Sequence, residues 1–212
     1  MPFFLDNLPD LFLRILPRLV VLFVCLPVHE FGHTFVADKL GDPTPRREGR
    51  LTLNPFVGID PLGAICLLLT GFGWSRGATV NPFNLRDRKG GMALVALAGP
   101  VMNLLLCLLF VVLAKLVTLF ATAVWAAYVY LIFLYIAQIN LSLAVFFLIP
   151  FPPLDGAEIL YFFLPPRATY WMREHTQVLS IAFLVFLILG GSSLLSLITT
   201  PIFNGILILF NL

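Results

Sequence analysis

Long apolar runs alternate with short polar intervals along this chain, and the run lengths predict helices that cross a membrane. Between Arg18 and Asp38 the sequence is LVVLFVCLPVHEFGHTFVA, 19 residues, about the length that crosses a hydrocarbon core. Leu11 to Leu16 extend the same helix outward, and Pro27 bends it, because a mid-helix proline frees the carbonyl one turn back. The interval from Lys39 to Asn54 is polar and carries Pro43 and Pro45, so it reads as a loop. Ile59 to Trp74 is apolar but broken by Pro61, Gly63, Gly71 and Gly73, and reads as a partial or re-entrant segment. Ser75 to Gly91 is polar again. Met92 to Phe120 and Ala123 to Ile149 are long apolar helices with a short connection, hence a helical hairpin, with Lys115 near enough to one end to snorkel. FPPLDG at 151–156 stops the second of these. Ala157 to Leu164 is a short helix ended by Pro165 and Pro166, and Arg167 to Gln177 is polar and amphipathic. Val178 to Thr200 is the last span, and Pro201 to Leu212 is an apolar tail in the interface. The predicted fold is an all-α polytopic membrane protein. It has about four full transmembrane helices, five if 59–74 crosses, with one partial segment and a short β element at Ser75 to Val80.

Composition sharpens this picture. Hydrophobic residues make up 60% of the 212-residue chain and charged residues 11%, with a mean hydropathy of +1.00. A soluble domain carries about 25% charged residues, so this chain could not cover a water-facing surface. The formal net charge of +2 provides no basic face, which excludes nucleic acid as a partner. Cys25, Cys66 and Cys107 lie in apolar runs without a C-x-x-C pair and read as small buried hydrophobes. Asp6 and Asp10 precede any basic residue and no small-residue cleavage site follows, so the first apolar stretch is expected to stay in the mature protein. Trp74, Trp125 and Trp171 read as interface anchors or packing residues.

One apolar span holds a cluster of ionisable groups: His29, Glu30 and His33, in HEFGH. Charges at membrane depth cost about 2.5–3.5 kcal/mol each, and packing alone does not account for three of them together. Histidines four apart on a helix share a face, and two imidazoles there can bind one zinc ion, with Glu30 in reach of a water that the metal activates. A catalytic zinc takes three protein ligands and keeps an open position. Asp155, Glu158 and Asp60 are the candidates for the third. Asp155 follows Pro150, Pro152 and Pro153, on irregular backbone that is tolerated at depth only where protein or water covers it; it also fits a plain surface turn. Parity favours Asp155. If 92–120 and 123–149 both cross and 59–74 does not, Asp155 returns to the histidines' side. The same topology gathers Lys39, Arg46, Arg47, Arg50, Arg76, Arg86, Arg88 and Lys89 on one side, joined by Arg167 and Arg173, which the positive-inside rule makes cytoplasmic. Arg14 and Arg18 lie toward the other side and fit this poorly.

HEFGH, ALAGPVMN at 96–103 and FPPLDG at 151–156, in that order, resemble the site-2 protease family of intramembrane zinc metalloproteases. GRLTLNP at 49–55 and IDPLG at 59–63 resemble its short branch, which lacks PDZ and CBS domains. The resemblance spans roughly residues 20–165. It implies one zinc per chain, held by His29, His33 and Asp155, with Glu30 as general base and a transmembrane protein as substrate. It also implies a single membrane-embedded protease domain over 1–212, with its catalytic core at about 20–165 and a C-terminal span at 178–200. Residence in a prokaryotic cell membrane follows, with the active site toward the cytoplasm. With no appended domain, gating is expected from the membrane part or a regulatory membrane protein. The family often has asparagine eight residues before the motif aspartate, where this chain has Phe147. Asn140, two turns earlier on the same face, and Asn103 are the candidates for oxyanion stabilisation or substrate positioning. The rival class is a membrane metal-ion transporter or metal-binding protein, which would need ionisable groups along a route through the bilayer; here they cluster at one depth.

Overall fold

A computed structural model describes residues 8–70, 73–77, 79–120, 124–187 and 192–212. Its described residues form helices α1 (Leu8–Val20), α2 (Leu26–Lys39), α3 (Thr44–Arg47), α4 (Pro55–Gly58), α5 (Pro61–Thr70), α6 (Arg88–Phe120), α7 (Val124–Phe147), α8 (Asp155–Phe163), α9 (Pro166–Glu174), α10 (Thr176–Phe186) and α11 (Ser192–Leu209). Among the described residues, three stretches are long and apolar enough to cross a membrane: Leu11–Lys39, Arg88–Phe120 and Trp125–Phe147.

The first span is continuous through two prolines. A π-helical turn, Val21–Cys25, joins α1 to α2 directly before Pro27. Proline at position 27 cannot donate to the carbonyl one turn back, and a wider turn there absorbs the mismatch. α5 has ten residues, so at 1.5 Å per residue it reaches about 15 Å, half of a ~30 Å hydrocarbon core. By length alone α5 is too short to cross. Arg18 of α1 holds its C-terminal end: Nη1 donates to the carbonyls of Leu68 at 2.5 Å and Leu69 at 3.1 Å. The last turn of a helix leaves carbonyls without helical partners, and the helix dipole favours a cation beside them. Thus Arg18, which fits poorly with a cytoplasmic basic side, has a structural use at depth.

The stretch expected as a β element does not form a strand among the described residues. Ser75 makes one antiparallel bridge with Ile59, and Arg76 N–H donates to the Gly58 carbonyl at 2.8 Å. Gly77 interrupts the six-residue stretch Ser75 to Val80, and a single bridge at its start is too little to propagate a ladder; Ala78 lies outside the described residues.

α6 and α7 pack along each other, and α2 packs on α6. α6 buries Val95, Ala96, Gly99, Pro100, Asn103, Cys107, Val111 and Ala114. Its opposite face presents Leu94, Leu97, Val101, Leu104, Leu105, Leu109, Val112 and Leu116. The inward face is small and partly polar while the outward face is leucine-rich, an arrangement that suits lipid outside and close helix contact inside. Val21, Leu22, Cys25 and Leu26 join Leu67, Ile136, Leu143, Phe146 and Phe147 in one core, and Cys107, Val111, Ala137, Leu141 and Phe203 form a second.

The span expected at 178–200 falls partly on residues 188–191, which lie outside the described residues; to either side lie α10 and α11. α11 continues past Thr200 with Pro201 inside it, so Pro201 to Leu209 is helix and not a separate tail. Proline inside a helix is tolerated where neighbouring groups satisfy the carbonyl it frees. Lys115 Nζ donates to the Asn211 carbonyl at 2.9 Å, tying the chain's end to α6.

Outside the membrane helices, Asp42 organises the polar loops. Its carboxylate accepts from Thr44 N–H at 3.0 Å, Thr44 Oγ1 at 2.6 Å, Asn81 N–H at 2.7 Å and Asn84 Nδ2 at 2.8 Å. The loop after α2 is thereby fastened to the turn before α6.

Candidate active site

α2 presents His29 and His33 on one face, both buried. Asp155 opens α8 directly after the proline-rich turn. His29 Nε2 and His33 Nε2 are 3.0 Å apart, and each lies 3.4 Å from Asp155 Oδ2. Asp155 Oδ2 is buried without a hydrogen-bond partner among the described residues. Zinc bonds of 2.0–2.1 Å at tetrahedral angles set ligand atoms about 3.3 Å apart, and these three separations match. The donor set fits zinc.

Two contacts behind the imidazoles orient them. His33 Nδ1 lies 2.7 Å from the Val95 carbonyl. A carbonyl only accepts, so Nδ1 carries the proton and Nε2 keeps its lone pair. His29 Nδ1 lies 3.1 Å from Asn103 Nδ2, while Asn103 Oδ1 has no partner among the described residues. With the amide turned over, Oδ1 would accept from Nδ1–H and leave His29 Nε2 free for a metal. Asn103 therefore sits at the back of His29, and its amide sets the tautomer there.

Gly99 makes room for both rings. A Cβ at that position would stand 2.4 Å from His33 Nε2 and 2.5 Å from His29 Cε1. The same close approach recurs at Gly32, whose Cβ would meet Met102 Cγ at 2.8 Å and the Ala98 carbonyl at 3.0 Å. α2 and α6 can thus approach backbone to backbone only because each carries glycine at the crossing.

Glu30 points away from that crossing into a cleft between residues 50–59 and 74–76. Its Oε1 accepts from the Ser75 hydroxyl. Arg50, Thr52, Asn54 and Arg76 also line the cleft, together with Leu22, Leu26, Pro27, Ile59 and Trp74, so polar groups border a largely apolar wall beside Glu30.

Asp155 is held below the usual carboxylate range: burial alone would raise it, and the adjacent imidazoles of His33 and His29 reverse that. The other acid candidates are engaged elsewhere. Glu158 Oε2 accepts from Arg173 Nη2 at 2.7 Å, and burial raises its carboxyl despite that arginine. Asp60 Oδ1 accepts from Gly63 N–H at 2.9 Å. Asn140 lies among other groups, donating to the Ile136 carbonyl at 2.8 Å and to Cys25 Sγ at 3.3 Å. Phe147, at the position of the expected asparagine, packs on His29 with ring centroids 4.5 Å apart. His175 is separate from the site, stacked on Trp171. Sequence reading does not single out Ser75 or Val95 for these contacts; the small residues Ala96, Ala98 and Gly99 do predict a close approach of the 92–120 helix to a neighbour, without naming the imidazoles.

A sequence profile described as Peptidase family M50 matches residues 17–191. The chain is 40% identical over 198 residues to a Bacillus subtilis protein named "Putative zinc metalloprotease YwhC", covering 91% of this chain and 89% of that one. It is 34% identical over 148 residues to a Mycolicibacterium smegmatis protein named "Putative zinc metalloprotease Rip2", covering 67% of this chain and 55% of the relative. A Mycobacterium tuberculosis protein of the same name is 33% identical over 173 residues, 79% of this chain and 64% of the relative. No solved structure matches the chain.

Proposed function

Because the chain belongs to peptidase family M50, we propose that it is an intramembrane zinc metalloprotease that hydrolyses peptide bonds in or near transmembrane segments of membrane proteins. The observation that carries this reading is the convergence of His29 Nε2, His33 Nε2 and Asp155 Oδ2 within 4.8 Å of one another. One zinc ion per chain would be held by these three atoms. Bound there, zinc supplies a Lewis acid that polarises the scissile carbonyl and lowers the pKa of water toward about 7.

The remaining chemistry belongs to the chain's own residues. Glu30 takes the proton of the attacking water as the new C–O bond forms. It then delivers that proton to the amide nitrogen as the C–N bond breaks. Val95 and Asn103 hold the imidazoles in the tautomer that directs Nε2 inward. The cleft beside Ser75 admits water and an unwound substrate segment, since an intact helix hides its carbonyls. On this reading α5 does not cross, the loops at 39–58 and 75–91 share one side, and their basic residues assign that side to the cytoplasm. A bacterial membrane, a regulated cleavage event and a regulatory membrane partner complete the reading.

Purified chain incubated with single-span substrates, with and without a zinc chelator, tests it. Cleavage that the chelator stops and that the His29→Ala, His33→Ala double variant lacks is the expected result. Absence of zinc from the wild-type protein would overturn the assignment.

A further inference from the structure

The cleft that reaches Glu30 is lined by that carboxylate and by the polar side chains of Arg50, Thr52, Asn54, Ser75 and Arg76, beside apolar residues. Arg50 directs Nη1 to the Val57 carbonyl at 2.7 Å, and among the described residues nothing engages its Nε or Nη2. Arg76 faces Asp60 only across 3.8 Å and its side chain is 59% exposed. Thr52 Oγ1 accepts from Asn54 N–H, and Asn54 Oδ1 accepts from Phe56 N–H. Both side chains have therefore spent acceptor capacity and keep O–H or N–H groups to offer. Two guanidinium groups with unspent donors therefore border one cleft, near the carboxylates of Glu30, which the Ser75 hydroxyl engages, and Asp60. Guanidinium donors bind carboxylates with matched geometry and more strongly than neutral ligands.

We infer that Arg50 and Arg76 form a carboxylate-recognition subsite, selecting substrates with an acidic group flanking the cleaved bond. The inference rests on the protease reading above and adds a substrate class to it. Arg50 holds the Val57 carbonyl and so also shapes the loop, whereas Arg76 is tied only loosely. Arg76 is therefore the residue on which to test selection.

The experiment uses the full chain, zinc-loaded, in micelles without anionic lipid. Its substrates are single-span peptides with Asp, Asn or Lys placed in turn at positions flanking the cleaved bond. Each is made with a free and with an amidated C-terminus. At one flanking position the wild type should cleave the Asp substrate with kcat/KM about tenfold above the Asn substrate, the worth of one partly exposed charge-assisted contact. In Arg76→Gln that ratio should fall toward one. In Arg76→Glu it should invert, with the Lys substrate preferred, an outcome that a merely damaged fold cannot give. If the preference follows the free C-terminus and not the side chain, the same subsite reads a chain-end carboxylate. Equal kcat/KM for Asp, Asn and Lys substrates in the wild type, or ratios untouched by both Arg76 substitutions, would overturn the inference while leaving proteolysis intact. So would suppression of cleavage by phosphatidylglycerol vesicles without any substrate-charge preference, which would assign the arginines to lipid phosphate. Failure of the wild type to cleave any substrate would instead count against the protease reading itself.

Discussion

Adding one methyl group at Gly99 should disable the metal centre while leaving the fold in place. The methyl would lie 2.4 Å from His33 Nε2 and 2.5 Å from carbon atoms of both rings. Ordinary contacts begin near 3.4 Å, so the rings or the helix must move by about 1 Å. Overpacking of this kind costs about 1–3 kcal/mol, and alanine returns nearly 1 kcal/mol through its better helix propensity. Net stability should therefore fall by no more than about 2 kcal/mol. The ligands suffer more. A shift of about 1 Å in a catalytic group costs roughly 100-fold in rate, and disturbing the support of a metal ligand costs about 10–100-fold in affinity. Gly99→Ala should therefore melt close to the wild type, lose zinc at lower chelator concentration, and cleave at about 1% of the wild-type rate or less. Elemental analysis after dialysis against graded chelator, paired with a cleavage assay, reads both effects. Gly205→Ala is the control, because a Cβ there meets nothing within 4 Å. Gly99→Ala with wild-type zinc retention and wild-type turnover would refute the argument that α6 makes room for the imidazoles.

Other outcomes follow from the same contacts. Glu30→Gln should keep zinc and lose about 100–10,000-fold in turnover; wild-type turnover would move the base elsewhere. Cysteines introduced at Arg47 and Arg86 should react with an impermeant label from the same side of the membrane, and opposite sidedness would mean that α5 crosses. Asp42 sits below the usual carboxylate range: burial pushes it up, and the donors from Asn84, Thr44 and Asn81 outweigh that. Its stabilisation is therefore complete above the unfolded-state pKa, near 4, and disappears as pH falls through the lower folded value. Asp42→Asn should cost about 1–3 kcal/mol at pH 7, and its thermal melt should converge with the wild type in acid; a gap that persists there would contradict the sign.

How far the sequence could be read depends on the range of each contact. His29 and His33 were legible because their geometry is set by one helical turn, and Asp155 because counting spans returns it to their side. The length of α5 was legible from its prolines and glycines. Asn103 and Asn140 were legible as buried polar residues but not by position: which neighbour each faces depends on how α6 and α7 rotate against the first span. Asn103 meets His29, while Asn140 meets Cys25. Ser75 and Glu30 are 45 residues apart and meet only because the re-entrant segment doubles back. The extension of helix beyond Pro201 was not legible, because a proline after an apolar run reads as a stop, whereas α11 carries Pro201 inside it.

The bond from Arg18 to the end of α5 also bears on the order of assembly. When the first span leaves the ribosome, α5 has not yet been made, and Arg18 carries an unmatched charge into lipid at a cost of about 2.5–3.5 kcal/mol. The carbonyls that relieve this cost lie 50 residues later. The first span should therefore ride shallow in the bilayer, or stay with the insertion machinery, until the half-helix arrives, and then settle to its final depth. Biogenesis of the metal centre would be timed by that event, since His29 and His33 descend with the same helix.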